Sequence, residues 1–181
     1  MMRDDPLAQF EDWWLDESRP DKMVVATATP DGRPSARYVL FKGFGETGFL
    51  FFSSYESRKG RELEANPQAA LLFYWGGRQV RIEGRVEKLE PEEADAYWAT
   101  RPDGSKRSAA ASHQSEPIAS REELEAAVAA QPEVPARPPY WGGYRVIPES
   151  YEFWIHRDDR LHDRFRYLPQ DGGWRIERLQ P

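Results

Sequence analysis

Residues 79–88 alternate with period two: Val80, Ile82, Gly84 and Val86 share one side, and Arg81, Glu83, Arg85 and Glu87 the other. That pattern predicts a strand with one buried and one wet face. Four earlier runs rich in aliphatic and aromatic residues also read as strands: 23–29 (MVVATAT), 34–42, 49–53 (FLFFS) and 69–75. Pro30-Asp31-Gly32 turns the first run back into the second. The 43–48 segment, with a glycine at each end, is expected to join 34–42 to 49–53 as a hairpin. Strands at such short spacing, linked mainly by turns, predict an antiparallel barrel.

Period-3.6 patterns interrupt this series. Leu7, Phe10 and Trp14 follow Asp5 and Pro6, an N-cap and a first-turn proline, so the chain opens with a packing helix. A short helix follows Ser54-Tyr55-Glu56-Ser57 and ends at Asn66-Pro67. Pro91 begins another, with acids in its first turn and a stop before Pro102, which places Tyr97 and Arg101 on one face. The polar, Ala-rich stretch that begins at Ser105 has no assignable pattern. Ser120-Arg121-Glu122-Glu123 is a capping box for a helix to about Ala130. The four prolines within 132–139 make an extended connector. Strands are then expected at 144–147, 151–156 and 161–168, the last turning through Gln170-Asp171-Gly172-Gly173 into 174–179.

At 181 residues the chain suits one domain over 1–181, with a real core. A net charge of -6 argues against general nucleic-acid binding, so any anion site must be local. There is no cysteine, which removes thiolate catalysis, disulfides and cysteine metal sites, and His113, His156 and His162 lack a metal-binding spacing. No signal-peptide core or membrane-length apolar run is present, and the chain reads as cytoplasmic.

Cations concentrate in a few places. Arg37 and Lys42 flank Tyr38, Val39, Leu40 and Phe41, while Arg58 and Lys59 fall in the first turn of a helix. Cations there oppose the helix dipole by a few tenths of a kcal/mol unless an anion is near, so the stretch suits a phosphate, although solvated surface charge would read the same way. In a regular strand Arg37 and Lys42 would face opposite sides, so sharing a pocket requires a bulge or an edge that lies along the ligand. Near the C-terminus, Arg160, His162 and Arg164 would share one face of an extended strand at intervals of about 6.6 Å. Such neighbours repel by about 2.5 kcal/mol at a dielectric of 20, which is tolerable in water or against an anion. Tyr97, Arg101 and Ser105 offer groups suited to phosphate oxygens. Gln79 suits a heterocycle edge or a cross-strand pair, and Trp154 a core position or a stacking platform.

R-Y-V-L-F-K, S-R-K-G-R-E-L, R-Q-V-R-I-E-G, Y-W-A-T-R-P-x-x-S, Q-S-E-P-I-A-S, E-F-W, R-L-H-D-R-F and W-R-I-E-R-L-x-P occur in this order. Together they resemble the pyridoxamine 5'-phosphate oxidase family over nearly the whole chain. The resemblance implies a mainly β fold with peripheral helices (α+β), a split β-barrel that forms a homodimer with two FMN sites at the interface. It implies that FMN is held by Arg37, Tyr38, Val39, Leu40, Phe41, Lys42, Phe52, Ser53, Arg58, Lys59, Gln79, Gln114, Ser115, Trp154 and Arg164. Lys42, Tyr97, Arg101 and Ser105 would hold the substrate phosphate, with Arg160, Leu161 and His162 over the pyridine ring and Arg160 and His162 as the catalytic pair. The implied reaction is oxidation of pyridoxamine or pyridoxine 5'-phosphate to pyridoxal 5'-phosphate, with O2 as acceptor and no metal. The chain begins close to its first helix, without the longer N-terminal arm of some members. It also carries Ser105-Lys106-Arg107-Ser108-Ala109-Ala110-Ala111-Ser112 where the family reads like S-Q-I-G-A-W-A-S, and Phe52-Ser53 where Tyr-Thr is common. Competing readings are a related flavin oxidase of the phenazine-biosynthesis type and a non-catalytic flavin- or haem-binding split barrel.

Overall fold

The computed structural model of the chain describes residues 2–16 and 20–181. Helix α1 (Pro6–Asp16) starts where Asp5 Oδ1 accepts from Leu7 N at 3.1 Å, as its capping sequence predicts. Its buried face places Phe10 edge-on to Phe41, Phe44, Phe49 and Phe73, with centroid separations from 4.9 to 6.3 Å. This aromatic cluster joins the helix to the sheet and forms the centre of the core.

The strands are β1 (Lys22–Ala28), β2 (Pro34–Leu40), β3 (Gly43–Gly45), β4 (Gly48–Ser54), β5 (Gln68–Trp75), β6 (Arg78–Lys88), β7 (Trp141–Ile155), β8 (Asp163–Gln170) and β9 (Gly173–Leu179). They pair antiparallel throughout, in the order β2-β1-β5-β6-β7-β4-β3, with β8 added to β7 and β9 to β8. Inward positions alternate as expected: Met23 and Val25 on β1, Leu71 and Phe73 on β5, and Val80, Ile82 and Val86 on β6 are buried.

Strand β7 divides the sheet. Its first part pairs with β4 and its last part with β8, while β6 pairs with it from Tyr144 to Ile155. Two separate strands at 144–147 and 151–156 were expected, but the chain makes one strand of 15 residues. The break in apolar pattern at Pro148 is a bulge: Glu83 pairs with Ser150 and Gly84 with Pro148. A side chain at Gly84 would bring its Cβ within 1.9 Å of the Ile147 carbonyl oxygen, so glycine is needed at this approach.

Other expectations are also corrected. The 34–42 run does not form a hairpin with 49–53; β2 pairs with β1, and the short β3 lies within the assumed turn and pairs with β4. The unassigned stretch after Pro102 is helix α4 (Asp103–Ala111), following α3 (Pro91–Thr100). The 161–168 strand starts only at Asp163. Residues 158–160 turn instead: Arg160 has φ 66° and its N–H donates to the Arg157 carbonyl, while Asp159 Oδ1 accepts from Leu161 N. Consecutive aspartates favour such a side-chain-supported turn over a strand. Helices α2 (Arg58–Ala65) and α5 (Arg121–Ala129) lie where predicted, and Ser120 accepts from Glu123 N at 3.1 Å. No helix among the described residues is long and apolar enough to cross a membrane.

Candidate active site

Between β2, β4, the start of α2 and the α3–α4 corner lies a cavity of about 850 Å³. Arg37, Tyr38, Val39, Leu40, Lys42, Phe52, Ser53, Lys59, Tyr97, Arg101, Ser105 and Gln114 all line it. Arg37 and Lys42 reach the same space because β2 stops at Leu40. Phe41 N then donates to the Asp21 carbonyl and Lys42 N to the Leu50 carbonyl, carrying the chain from one side of the barrel to the other. The in-and-out alternation of β2 continues through Phe41 and Lys42, so the Phe41 side chain enters the aromatic core while Lys42 stays exposed at the cavity.

The cavity holds two cationic groups. In the first, Lys59 is 6% exposed and its Nζ donates to Ser53 Oγ, Ser57 Oγ and Gln114 Oε1, all neutral, at 2.9–3.2 Å. Burial, then the charge of Arg37, pull its pKa down to about 8, against the pull of Glu62. A buried ammonium surrounded by neutral acceptors is a cation that an anionic ligand would stabilise. Arg37 donates to Thr27 Oγ1 at 2.6 Å and to Ser35, while Arg58 Nε reaches Glu62 Oε1 at 2.9 Å. Ser57 caps α2 by accepting from Gly60 N, and a Cβ at Gly60 would come within 2.0 Å of the Tyr55 carbonyl oxygen. Ser115 does not line the cavity; its hydroxyl accepts from the Arg58 backbone N–H at 3.1 Å and fastens the 112–116 segment onto the helix start.

The second group sits on an aromatic shelf. Phe52 stacks on Tyr97 at 3.9 Å and on Trp141 at 5.7 Å. Lys42 Nζ lies 5.6 Å from the Tyr97 ring centre, and the Arg101 guanidinium 4.5 Å from that of Trp141. Arg101 follows α3 in extended backbone, as a residue before proline should, and donates to the Ser105 carbonyl at 3.0 Å. Burial pulls its pKa down, and no carboxylate among the described residues pairs with it. Sequence reasoning missed Trp141, which has no local signal. It also missed Ser108, Ala109 and Ser112, which line the cavity at helical spacing from Ser105 and become legible only once α4 is recognised.

Arg58, on α2, also lies outside the cavity lining, and the remaining predicted residues are on β6, β7, β8 and the turn before β8. Gln79 pairs in register with Trp154, and Trp154 with Arg164. The His162 ring is 4.5 Å from that of Trp154, and its Nδ1 accepts from Arg157 N. Arg164 is held by buried Glu152 at 2.8 Å, which also takes Arg81 at 2.7 Å. Arg160 and Leu161 are exposed in the turn and, with His162, precede β8, so the expected one-faced row of Arg160, His162 and Arg164 does not form.

An antiparallel barrel divided at one long strand, with an anion-ready cavity on one side and an aromatic, cationic edge on the other, defines a split β-barrel protein of the ligand-binding kind. Comparison with known proteins gives the family. The profile described as pyridoxamine 5'-phosphate oxidase matches residues 14–131, and that described as the pyridoxine 5'-phosphate oxidase C-terminal dimerisation region matches 141–181. The chain belongs to the pyridoxamine 5'-phosphate oxidase family, a family of oxidoreductases. It is 56% identical to a pyridoxine/pyridoxamine 5'-phosphate oxidase of Rubrobacter xylanophilus, over 98% of this chain and 87% of that protein. A Bordetella petrii protein of the same name is 53% identical over 97% and 89%. Among solved structures, PhzG from Burkholderia lata in complex with tetrahydrophenazine-1-carboxylic acid is similar with TM-score 0.91 and 35% identity, over 99% of this chain and 94% of that one. A pyridoxamine 5'-phosphate oxidase-related, FMN-binding protein from Nostoc punctiforme shares the fold with TM-score 0.74 at 20% identity, over 89% and 88%.

Proposed function

We propose that the protein is an FMN-dependent oxidase that converts pyridoxamine or pyridoxine 5'-phosphate to pyridoxal 5'-phosphate. The observation that carries this reading is one cavity with two separate cationic groups, as two phosphorylated aromatic ligands require. Lys59, Arg37 and Arg58, supported by Ser53, Gln114 and Ser115, would hold the FMN phosphate. Lys42, Tyr97, Arg101 and Ser105 would hold that of the substrate. The chemistry FMN supplies when bound is acceptance of a hydride from substrate C4' and return of the electrons to O2 as H2O2. The chain's own contribution is orientation and charge. Gln79, Trp154, Arg164, Arg160, Leu161 and His162 would complete the site from a second copy, with Arg160 and His162 set over the pyridine ring. Exposed Tyr38 and Leu40 beside the cavity and exposed Leu161 beside His162 are apolar surface that such a homodimer would cover.

The similarity to PhzG favours one second reading, oxidation of a phenazine precursor. The desolvated Arg101 without a carboxylate partner suits an anionic group, which a phosphorylated substrate and a phenazine carboxylic acid both offer. A visible spectrum recorded anaerobically tests both. Bound flavin should bleach on addition of pyridoxamine 5'-phosphate and recover in air. Protein that stays colourless and takes up no FMN refutes the proposal, and bleaching only by an unphosphorylated aromatic establishes the second reading.

A further inference from the structure

Glu62 is a carboxylate set among the cations that would hold a phosphate. Its side chain is 5% exposed. Oε2 accepts from Thr27 Oγ1 and Ser35 Oγ at 2.5 Å and lies 3.4 Å from Arg37 Nη2, while Oε1 accepts from Arg58 Nε at 2.9 Å. It does not line the cavity, so its oxygens face donors and not the ligand space. β1, β2 and α2 all converge on this one group.

We propose that Glu62 is a positioning residue for the cofactor phosphate: it fixes Arg37 and Arg58 in place and sets the charge of the pocket. The inference rests on the FMN reading above. Arg58, largely exposed and outside the cavity lining, is offset by Glu62, which leaves on the cavity the two positive charges of Arg37 and Lys59, the charge that a phosphate dianion neutralises. Burial opposes ionisation of Glu62, but hydrogen bonds from Ser35, Thr27 and Arg58 and the charge of Arg37 outweigh it and pull its pKa down to about 2. The carboxylate is therefore charged at every working pH. Of the charged groups that face Lys59, Arg37 from β2 lowers its proton affinity and Glu62 from α2 raises it. A glutamine at this position would turn an amide donor toward Arg58 and withdraw the charge that keeps Lys59 protonated.

The test is titration of the full-length, deflavinated protein with FMN and with riboflavin, which has the same ring and no phosphate, between pH 6 and 9. Glu62→Gln should weaken FMN by about tenfold or more at pH 8, the scale of a lost charge-assisted contact, and leave riboflavin unchanged. The pH above which FMN affinity falls should move down in this variant. Glu62→Asp keeps the charge but shortens the reach to Arg58, so it should lose several-fold of the FMN preference without moving the pH profile. If Glu62→Gln does not fold, the aspartate variant alone decides. Equal weakening of FMN and riboflavin overturns the proposal in favour of a purely structural role, and so does an unchanged or tighter FMN. Wild-type protein that binds no FMN overturns the cofactor reading and this inference with it, an outcome distinct from failure of the variants alone.

Discussion

The two sets of predicted site residues are held in opposite ways. Around the cavity, Lys59 and Arg101 are desolvated and paired only with neutral groups or ring faces. On the β6–β8 face, Arg164 already has buried Glu152 as its partner, and Asp163 is shared by Arg157 and Arg178. Lys59 and Arg101 are poised for an anion, while Arg164 is internally neutralised beside Trp154. A cavity that keeps spare charge on Lys59 and Arg101, and a separate face that carries the other predicted residues, suit a site divided between two copies of one chain.

Complementation between two damaged halves gives the largest expected effect. Lys59→Ala should disable the cavity half and Arg164→Ala the other, with Arg81 remaining on Glu152 to keep the fold. Each variant alone should be nearly inactive. If the dimer is two-fold symmetric with shared sites, co-refolding equal amounts should restore about a quarter of wild-type activity, since half of the dimers are mixed and each of those has one intact site. No recovery on mixing would place both halves of a site on one chain.

The core beneath the cavity separates packing from binding. Phe41→Ala removes a ring packed against Phe10, Trp14 and Phe73, and should lower unfolding stability by about 3–5 kcal/mol in a denaturant titration. Cofactor binding measured well below the transition should change much less. Strong loss of FMN with little loss of stability would return Phe41 to the ligand.

Arg101→Ala sharpens the division within the cavity. Loss of a charge-assisted contact of about 1.5–3 kcal/mol should raise KM for the phosphorylated substrate by roughly ten- to a hundredfold, with flavin still bound. Loss of flavin from this variant would show that the two cationic groups serve one ligand.

Much of this arrangement was legible in the sequence because local rules carried it. Period-two alternation gave β6, capping gave α1 and α5, and the cation pattern pointed to Arg37, Lys42 and Lys59. The failures have local causes too. Residues 34–42 look like one strand because Phe41 is as apolar as its neighbours, yet the chain leaves β1 at that point for β4, and only pairing partners far along the sequence decide this. Pro148 looks like a strand terminator because nothing nearby announces a bulge opposite Gly84. Arg160 and His162 were placed on a strand by their spacing, whereas Asp158 and Asp159 made a turn. Glu62 passed unnoticed since a glutamate four residues after an arginine on a helix is ordinarily a surface pair. Its importance comes from Thr27 and Ser35, which belong to other strands.

The smallest expected effect is one of pH, and it tests whether the cavity's spare charge resides on Lys59. In the free protein its pKa is pulled down to about 8, below its unfolded value, so the folded chain carries the charged form at a cost under neutral conditions. That cost is relieved as pH rises from about 8 toward the unfolded value, and the stability of the cofactor-free protein should rise through that window. A bound phosphate dianion has the reverse preference, since it favours the charged lysine and raises its pKa. FMN affinity should therefore fall above pH 8, by at most about tenfold per pH unit. The thermal stabilisation produced by saturating FMN should be smaller at pH 9 than at pH 7, while riboflavin, lacking the phosphate, should show no such change. A gain in stabilisation by FMN on going to pH 9 would mean that Lys59 is not the cation the phosphate meets.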